Sequence, residues 1–459
     1  MEEKFIGREY ELSQLESRYS NDDFEFVAIY GRRRVGKTTL ITEFTKGKKT
    51  ISFQAVNASI SDNLRAMSAA VSSYEGRPSG LSFGHIDDAL HYIFDLASEE
   101  KIIFVIDEYP YLAESYPPVS SLLQAIIDRS QSSKMFLILC GSSNSFMESQ
   151  VLGDKSPLYG RATGKMRMEP FDYLESGKFV DNYDSADRLS AYGMVGGIPQ
   201  FLKKINDSRS LKDNLESLVH RDSMMYDAIE NMMNMEFRKP AVYNSIIASI
   251  ANGNRRVRDI STSMGMESND ITAYLAQLVE VGIIGKERPI NTDSKKSAVY
   301  YIRDNLISFW FGCVRDSVSD IIAGDTEGAC EDILRRFQTR MGYVFEDACR
   351  TYISKSTKFH DVGRWWGSDT KNRTQVEIDI VGTRKINGRT VGLFGECKYR
   401  NEPMDVDVLE SLLYESELVS GFDSKEYVLF SKSGFTQRLK SRAEETGVEL
   451  ATLDDLYGK

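Results

Sequence analysis

The stretch FEFVAIYGRRRVGKTT, residues 24–39, decides the fold. Phe24, Phe26, Val27, Ala28, Ile29 and Tyr30 form a short, nearly continuous apolar run, as in a strand covered on both faces. Gly31 ends the run. Gly31, Gly36, Lys37 and Thr38 then match the pattern G-x-x-x-x-G-K-[ST], in which small residues let successive backbone N–H groups converge on phosphate oxygens. Gly31, Arg32, Arg33, Arg34, Val35, Gly36, Lys37, Thr38 and Thr39 are therefore the candidate nucleotide-binding residues. In such a loop Lys37 would bridge the β- and γ-phosphates, and the Thr38 hydroxyl would be a Mg2+ ligand. A helix expected from Thr38 to about Phe44 would turn its positive N-terminal end to the same anion. A glycine turn that binds nothing is the competing reading, and four matched positions between a strand and a helix outweigh it.

The second half of such a site is KIIFVIDE, residues 101–108, an apolar run ending in two carboxylates. Asp107 would hold Mg2+ through water and Glu108 would polarise the attacking water; the alternative is a pair of acids that caps the next segment. Between and after these runs, strands expected at 49–56 and 135–141 alternate with helices at 60–74, 86–97 and 117–128. That alternation marks a doubly wound parallel sheet, whose ligands collect at the C-terminal ends of the strands.

A chain of 459 residues exceeds one ordinary core and points to about three domains of roughly 150 residues. Hydrophobic residues at 41% and charged residues at 27% are ordinary for a globular protein. The net charge of −11 argues against whole-surface attraction to nucleic acid, while leaving room for local basic patches. Cys140, Cys313, Cys330, Cys349 and Cys397 are odd in number and lack a CxxC pair, which predicts reduced thiols in a cytoplasmic protein rather than disulfides or structural zinc. No apolar run is long enough for a transmembrane helix, and MEEKFIGREY lacks the apolar core of a signal peptide, so no membrane partner is expected.

Gly7-Arg8-Glu9, the phosphate loop, Asp107-Glu108 and Ser142-Ser143 together resemble the prokaryotic AAA+-type ATPases related to the signal-transducing NTPases, among them the archaeal-type ATPase family. The resemblance implies an ATP- and Mg2+-dependent ATPase in which Ser142 or Ser143 senses the γ-phosphate. The Phe5-to-Glu9 segment, leading into an amphipathic helix with Leu12, Leu15 and Tyr19, would flank the adenine, and Arg8 joins the nucleotide-contacting candidates. Tyr159-Gly160-Arg161 makes Arg161 the candidate arginine on phosphate, in cis or in trans across an oligomer, with a surface salt bridge as the equal alternative. Gly196-Gly197-Ile198-Pro199 resembles the sharp turn of the family's helical lid.

From Pro240 three helical segments and a basic, turn-rich stretch resemble a winged helix-turn-helix, with 268–281 as recognition helix. Arg255, Arg256 and Arg258, with Lys286, Arg288, Lys295 and Lys296 in the wing, could meet DNA phosphates; Glu267, Asp270 and Glu280 oppose this. A purely structural winged helix is the alternative. Residues 304–321 read as an aromatic-rich helical link, and the last region as a helix over 334–353, a loop with Trp365 and Trp366, and strands at 375–381 and 389–397 joined by Asn387-Gly388. Asp379, Glu396 and Lys398, with Glu346 from the helix, resemble the site of the PD-(D/E)XK nuclease fold, which implies Mg2+ held by Asp379 and Glu396; Glu377 is set aside as a ligand.

The expected architecture is α/β: a P-loop parallel-sheet ATPase domain over 1–175, a helical lid over 176–238, a winged helix over 239–303, and a linker helix with a nuclease-like α/β domain over 304–459. The function expected is an ATP-hydrolysing switch acting on or near DNA. The alternative is a nucleotide-dependent regulator whose C-terminal domain is a protein-binding platform, with the oligomeric state open.

Overall fold

The computed structural model describes residues 5–77, 80–130, 132–220, 222–237, 239–291, 298–355 and 358–458. Lys295 and Lys296 of the expected wing lie outside them. Two compact units result, Met1–Pro170 with Ile198–Gln200, and Phe171–Gly197 with Phe201–Lys459.

In the first unit β1 (Glu25–Tyr30), β2 (Thr50–Gln54), β3 (Ile102–Asp107), β4 (Met135–Gly141) and β5 (Gly164–Arg167) form one parallel sheet in the order β2-β3-β4-β1-β5. Every residue of β1, β3 and β4 is buried, which explains their unbroken apolar runs. Side chains alternate between two cores. Phe26 and Ala28 of β1 meet the helices Ile60–Tyr74, Ile86–Leu96 and Val119–Arg129 through Val71, Ile93 and Ile126. Val27 and Ile29 meet the helices Glu9–Tyr19 and Lys37–Thr45 through Leu15, Leu40 and Phe44. Each such fully buried side chain contributes about 1.5–3 kcal/mol. The single helix expected over 117–128 begins at Val119, after a separate helix Tyr109–Ser115, because Pro117 and Pro118 have no N–H to continue a helical ladder.

The second unit opens with the short helix Tyr173–Gly177, followed by Ser185–Val195, Leu211–Val219 and Met224–Glu236. Gly196 takes φ 64, and a Cβ on Gly197 would stand 1.8 Å from the Phe171 carbonyl oxygen, so the pair permits a turn that no side chain would allow. Three helices, Pro240–Ala251, Val257–Met264 and Ser268–Glu280, precede the antiparallel pair β6 (Ile284–Glu287) and β7 (Val299–Ile302). The link expected as one helix is broken into Asn305–Phe309, a π-helical turn Trp310–Val314, a 3-10 turn and Val318–Ala323. The next helix runs 30 residues, Thr326–Lys355, longer than expected.

A five-stranded sheet follows, β8 (Asp361–Asp369), β9 (Thr374–Ile386), β10 (Arg389–Lys398), β11 (Ser424–Ser431) and β12 (Glu449–Thr452), in the order β12-β11-β10-β9-β8. β8, β9 and β10 are antiparallel, whereas β10, β11 and β12 run parallel. Asn387 and Gly388, at φ 51 and 81, make the tight turn between β9 and β10. Trp365 and Trp366 lie on β8, opposite Ile378 and Glu377, and not in a loop; Gly363, Gly367 and Ser368 disguise a strand whose aromatics suit a pleated surface. Ile378, Phe394 and Leu429 pack with Leu409 and Leu412 of the helix Val406–Ser416 and Leu439 of the helix Gln437–Thr446. All five cysteines are buried free thiols. Among the described residues no helix is long and apolar enough to cross a membrane.

Candidate functional site

The strand order builds the first site. β4 lies between β1, which feeds the phosphate loop, and β3, which ends in Asp107, so the polar end of β4 enters between loop and acids. Gly31, Arg34 and Gly36 all take positive φ, at 153, 70 and 95, alternating with ordinary residues as a backbone anion nest requires. Lys37 is buried at the start of its helix and donates from Nζ to the carbonyls of Gly31 at 2.8 Å and Arg32 at 3.0 Å. Burial lowers its ammonium from the ordinary lysine value, with Glu108 and Asp107 acting against that shift.

Thr38 and Thr39 are exposed on the first helical turn, and the Thr38 hydroxyl donates to Asp107 Oδ2 at 3.1 Å. A hydroxyl beside a carboxylate offers two hard oxygen donors, the chemistry Mg2+ takes, so these residues fit the ion. Glu108 stands at φ 53, and its Oε2 accepts from the Ser142 hydroxyl at 2.9 Å and amide at 3.3 Å. Val35 is fully buried and Arg32 nearly so, while Arg33 donates to the Tyr111 hydroxyl at 2.6 Å.

Arg8, at φ 64, donates to Glu11 at 2.9 Å, to the Val35 carbonyl at 3.2 Å and to the Glu169 carbonyl, and so ties the loop to the segment after β5. Nothing in the sequence signals the Val35 or Tyr111 contact. Arg161 forms a bidentate pair with Asp128, both bonds at 2.8 Å, and also donates to the Pro157 and Tyr159 carbonyls.

In the second unit, Asp379 on β9 accepts the Cys397 amide at 3.0 Å, and Lys398 pairs with Glu396. Glu346 lies 3.7 Å from Arg350, which also donates to the Asp379 carbonyl at 3.2 Å. The i,i+4 spacing of Glu346 and Arg350 was the available sequence signal for that link. Burial first, and the Asp379 charge second, raise the carboxyls of both Glu346 and Glu396 toward neutrality. Glu346 Oε2 and Glu396 Oε2 are buried without a hydrogen-bond partner among the described residues. Glu377, two residues from Asp379 on the same strand, is taken by Arg364. Among the described residues no three acidic, histidine or cysteine side chains converge as a ready-made metal set.

Of the arginines that could meet DNA phosphates, Arg255 stands 4.0 Å from Glu287, while Arg256 and Arg258 are exposed.

A parallel sheet with this strand order, loop and pair of strand-end acids defines a P-loop ATPase. Residues 5–205 match an ATPase domain predominantly from Archaea, and residues 310–410 match a domain of archaeal and bacterial proteins of unknown function. An uncharacterized protein of Methanocaldococcus jannaschii is 32% identical over 433 residues, 92% of this chain and 94% of that one. A second uncharacterized protein of the same organism is 34% identical over 90 residues, 19% of this chain and 86% of its own. Among solved structures, a Walker-type ATPase of Pyrococcus abyssi aligns with a TM-score of 0.52 at 20% identity, over 67% of this chain and 96% of that one. The chain belongs to the same family as the first M. jannaschii protein, and within it an archaeal-type ATPase domain precedes the C-terminal domain of unknown function.

Proposed function

We propose that the chain is an ATP-hydrolysing switch in which Lys37, Thr38, Asp107, Glu108 and Ser142 drive in-line attack of water on the γ-phosphate. The observation that carries this reading is the double hydrogen bond from Ser142 to Glu108, which holds a carboxylate beside the phosphate loop. The loop amides and the helix N-terminus would take the phosphates, and the Lys37 ammonium would exchange its carbonyl partners for β- and γ-oxygens. Thr38 and Asp107 would hold Mg2+, which would supply neutralisation of the phosphate charge. Glu108 then orients the water and accepts its proton, and positioning rather than covalent chemistry does the rest. Arg8 braces the loop near the adenine, and Arg161 reaches phosphate only by leaving Asp128.

Titrating labelled ATP and measuring phosphate release tests this. Lys37→Ala should lose ATP binding, whereas Glu108→Gln should bind ATP and turn over about 10²–10⁴ times more slowly. Wild-type turnover by Glu108→Gln removes Glu108 from the mechanism. Sizing with and without nucleotide decides whether the switch works through assembly.

A second reading concerns the C-terminal sheet, and the orphaned buried oxygens of Glu346 and Glu396 beside Asp379 favour it. Hard divalent cations prefer such carboxylate donors. With Asp379 and Glu396 as ligands, Glu346 drawn in only when an ion binds and Lys398 nearby, the domain would cut DNA brought by the winged helix. Metal-dependent nicking of supercoiled plasmid, lost in Lys398→Ala, supports it; no nicking leaves the domain as a platform for a protein partner.

A further inference from the structure

Beside the acidic cluster of Glu346 and Asp379, which Arg350 borders, the second unit contains a cavity of about 150 Å³ lined by Arg255, Arg303, Arg340, Arg350 and Arg364. The acids that line it are Glu287 and Asp347. Glu346 and Glu377 reach Arg350 and Arg364 from outside the lining, yet within it the arginines outnumber the acids, and buried guanidinium donors left unsatisfied are costly.

The ion pairs between its lining residues are loose. Arg255 and Arg364 share Glu287 at 4.0 and 3.8 Å, and Arg350 stands 3.7 Å from Asp347, all beyond hydrogen-bond reach. Arg340 donates to the neutral oxygens of Ala251 at 3.3 Å and Ser308 at 3.1 Å. The Nε atoms of Arg340 and Arg364 are buried with no hydrogen-bond partner among the described residues, and Arg364 is only 6% exposed. Its close partner, Glu377, is 45% exposed. Burial would lower the Arg350 guanidinium, but Asp347, Glu346 and Glu287 more than compensate. Arg255 differs, lowered by burial and then by repulsion from Arg364. Donor capacity is therefore left on Arg255, Arg340 and Arg364.

Planar guanidinium forks suit phosphate oxygens, which they bind bidentately. Tyr300, Tyr301 and Tyr343 supply flat walls. With about 30 Å³ for each water in the liquid, the space takes a phosphoryl group and a short attachment, not a duplex.

We propose that this cavity binds the phosphoryl group of a small phosphorylated ligand, with Arg255, Arg340 and Arg364 as donors. An occupant would pin the hairpin residues Glu287, Tyr300 and Tyr301 to Tyr343 and Asp347 of the long helix.

Calorimetry with pyrophosphate on full-length Lys37→Ala protein, whose phosphate loop is disabled, tests the proposal. One saturable site is expected, weakened at least tenfold by Arg340→Gln and by Arg255→Gln, and unchanged by Arg161→Gln. Arg255 lies at the half-exposed rim, so its substitution serves if Arg340→Gln fails to fold in a melting check. Absence of binding at millimolar pyrophosphate, or binding that survives both substitutions, overturns the proposal. Displacement by duplex oligonucleotide at equal phosphate concentration overturns the small-ligand assignment in favour of a polynucleotide backbone.

Discussion

Ser142 donates twice to one oxygen of Glu108, through its hydroxyl at 2.9 Å and its amide at 3.3 Å. The amide hydrogen bond belongs to the backbone and remains in Ser142→Ala, whereas the hydroxyl hydrogen bond does not. A hydrogen bond to a charged group contributes about 1.5–3 kcal/mol, and each 1.36 kcal/mol is about tenfold in rate. Ser142→Ala should therefore slow phosphate release roughly ten- to a hundredfold with ATP affinity nearly unchanged. If single-turnover rates stay at the wild-type level, Glu108 does not depend on Ser142 for its placement.

The two glycines of the phosphate loop should differ in what they tolerate. A Cβ on Gly31 would stand 2.2 Å from the Met168 carbonyl oxygen at φ 153, whereas one on Gly36 would find its nearest neighbour, Pro199 Cγ, at 3.7 Å at φ 95. Gly36→Ala thus costs mainly the left-handed backbone, about 1–2 kcal/mol, and Gly31→Ala adds overpacking of about 1–3 kcal/mol. Urea denaturation followed by circular dichroism should rank Gly31→Ala well below Gly36→Ala; equal midpoints would contradict the close approach of the Met168 carbonyl to Gly31.

DNA binding by the winged helix, if it occurs, should draw on two of its three leading arginines. Arg256 and Arg258 are exposed, while Arg255 faces Glu287. Neutralising the exposed pair should flatten log affinity against log salt by about 1.8, at roughly 0.9 for each duplex phosphate. Arg255→Gln alone should leave the slope as it was. A slope insensitive to both exposed arginines makes the winged helix structural.

Unit-specific stability can be read from fluorescence, because the three tryptophans, Trp310, Trp365 and Trp366, all belong to the second unit. Glu346 and Glu396 hold their protons more tightly when folded than in the open chain, owing to burial and then Asp379. Their contribution is complete below the ordinary carboxyl value of about 4.5 and fades as pH climbs through their raised values. In EDTA, the tryptophan-detected urea midpoint should fall as pH rises from about 5 to about 8, and Glu346→Gln with Glu396→Gln should flatten that fall. An equally steep fall in the double variant would assign it to other groups.

Much of the first unit was legible because its strands are buried on both faces, so 102–107 and 135–141 announce themselves as apolar runs. Trp365 and Trp366 were misread as a loop because β8 carries Gly363 and Gly367 among its residues. β11 and β12 were not anticipated at all: SKEYVLFS buries only its second half, and ELAT is too short to show a period. At the sites, motif spacing places Lys37, Thr38 and Asp107 together, but long-range pairings such as Arg161 with Asp128, or Arg255 with Glu287, leave no local trace. They depend on which distant acid the fold delivers.

The chain leaves the first unit after Pro170, returns for Ile198–Gln200, and leaves again. That brief return includes Pro199, the neighbour that a side chain on Gly36 would meet. A fragment ending at 170 or 175 therefore lacks a wall of its own phosphate loop and will understate nucleotide affinity. No single cut of the gene separates the two units whole, so exchanging one unit for another means carrying residues 198–200 across with the first.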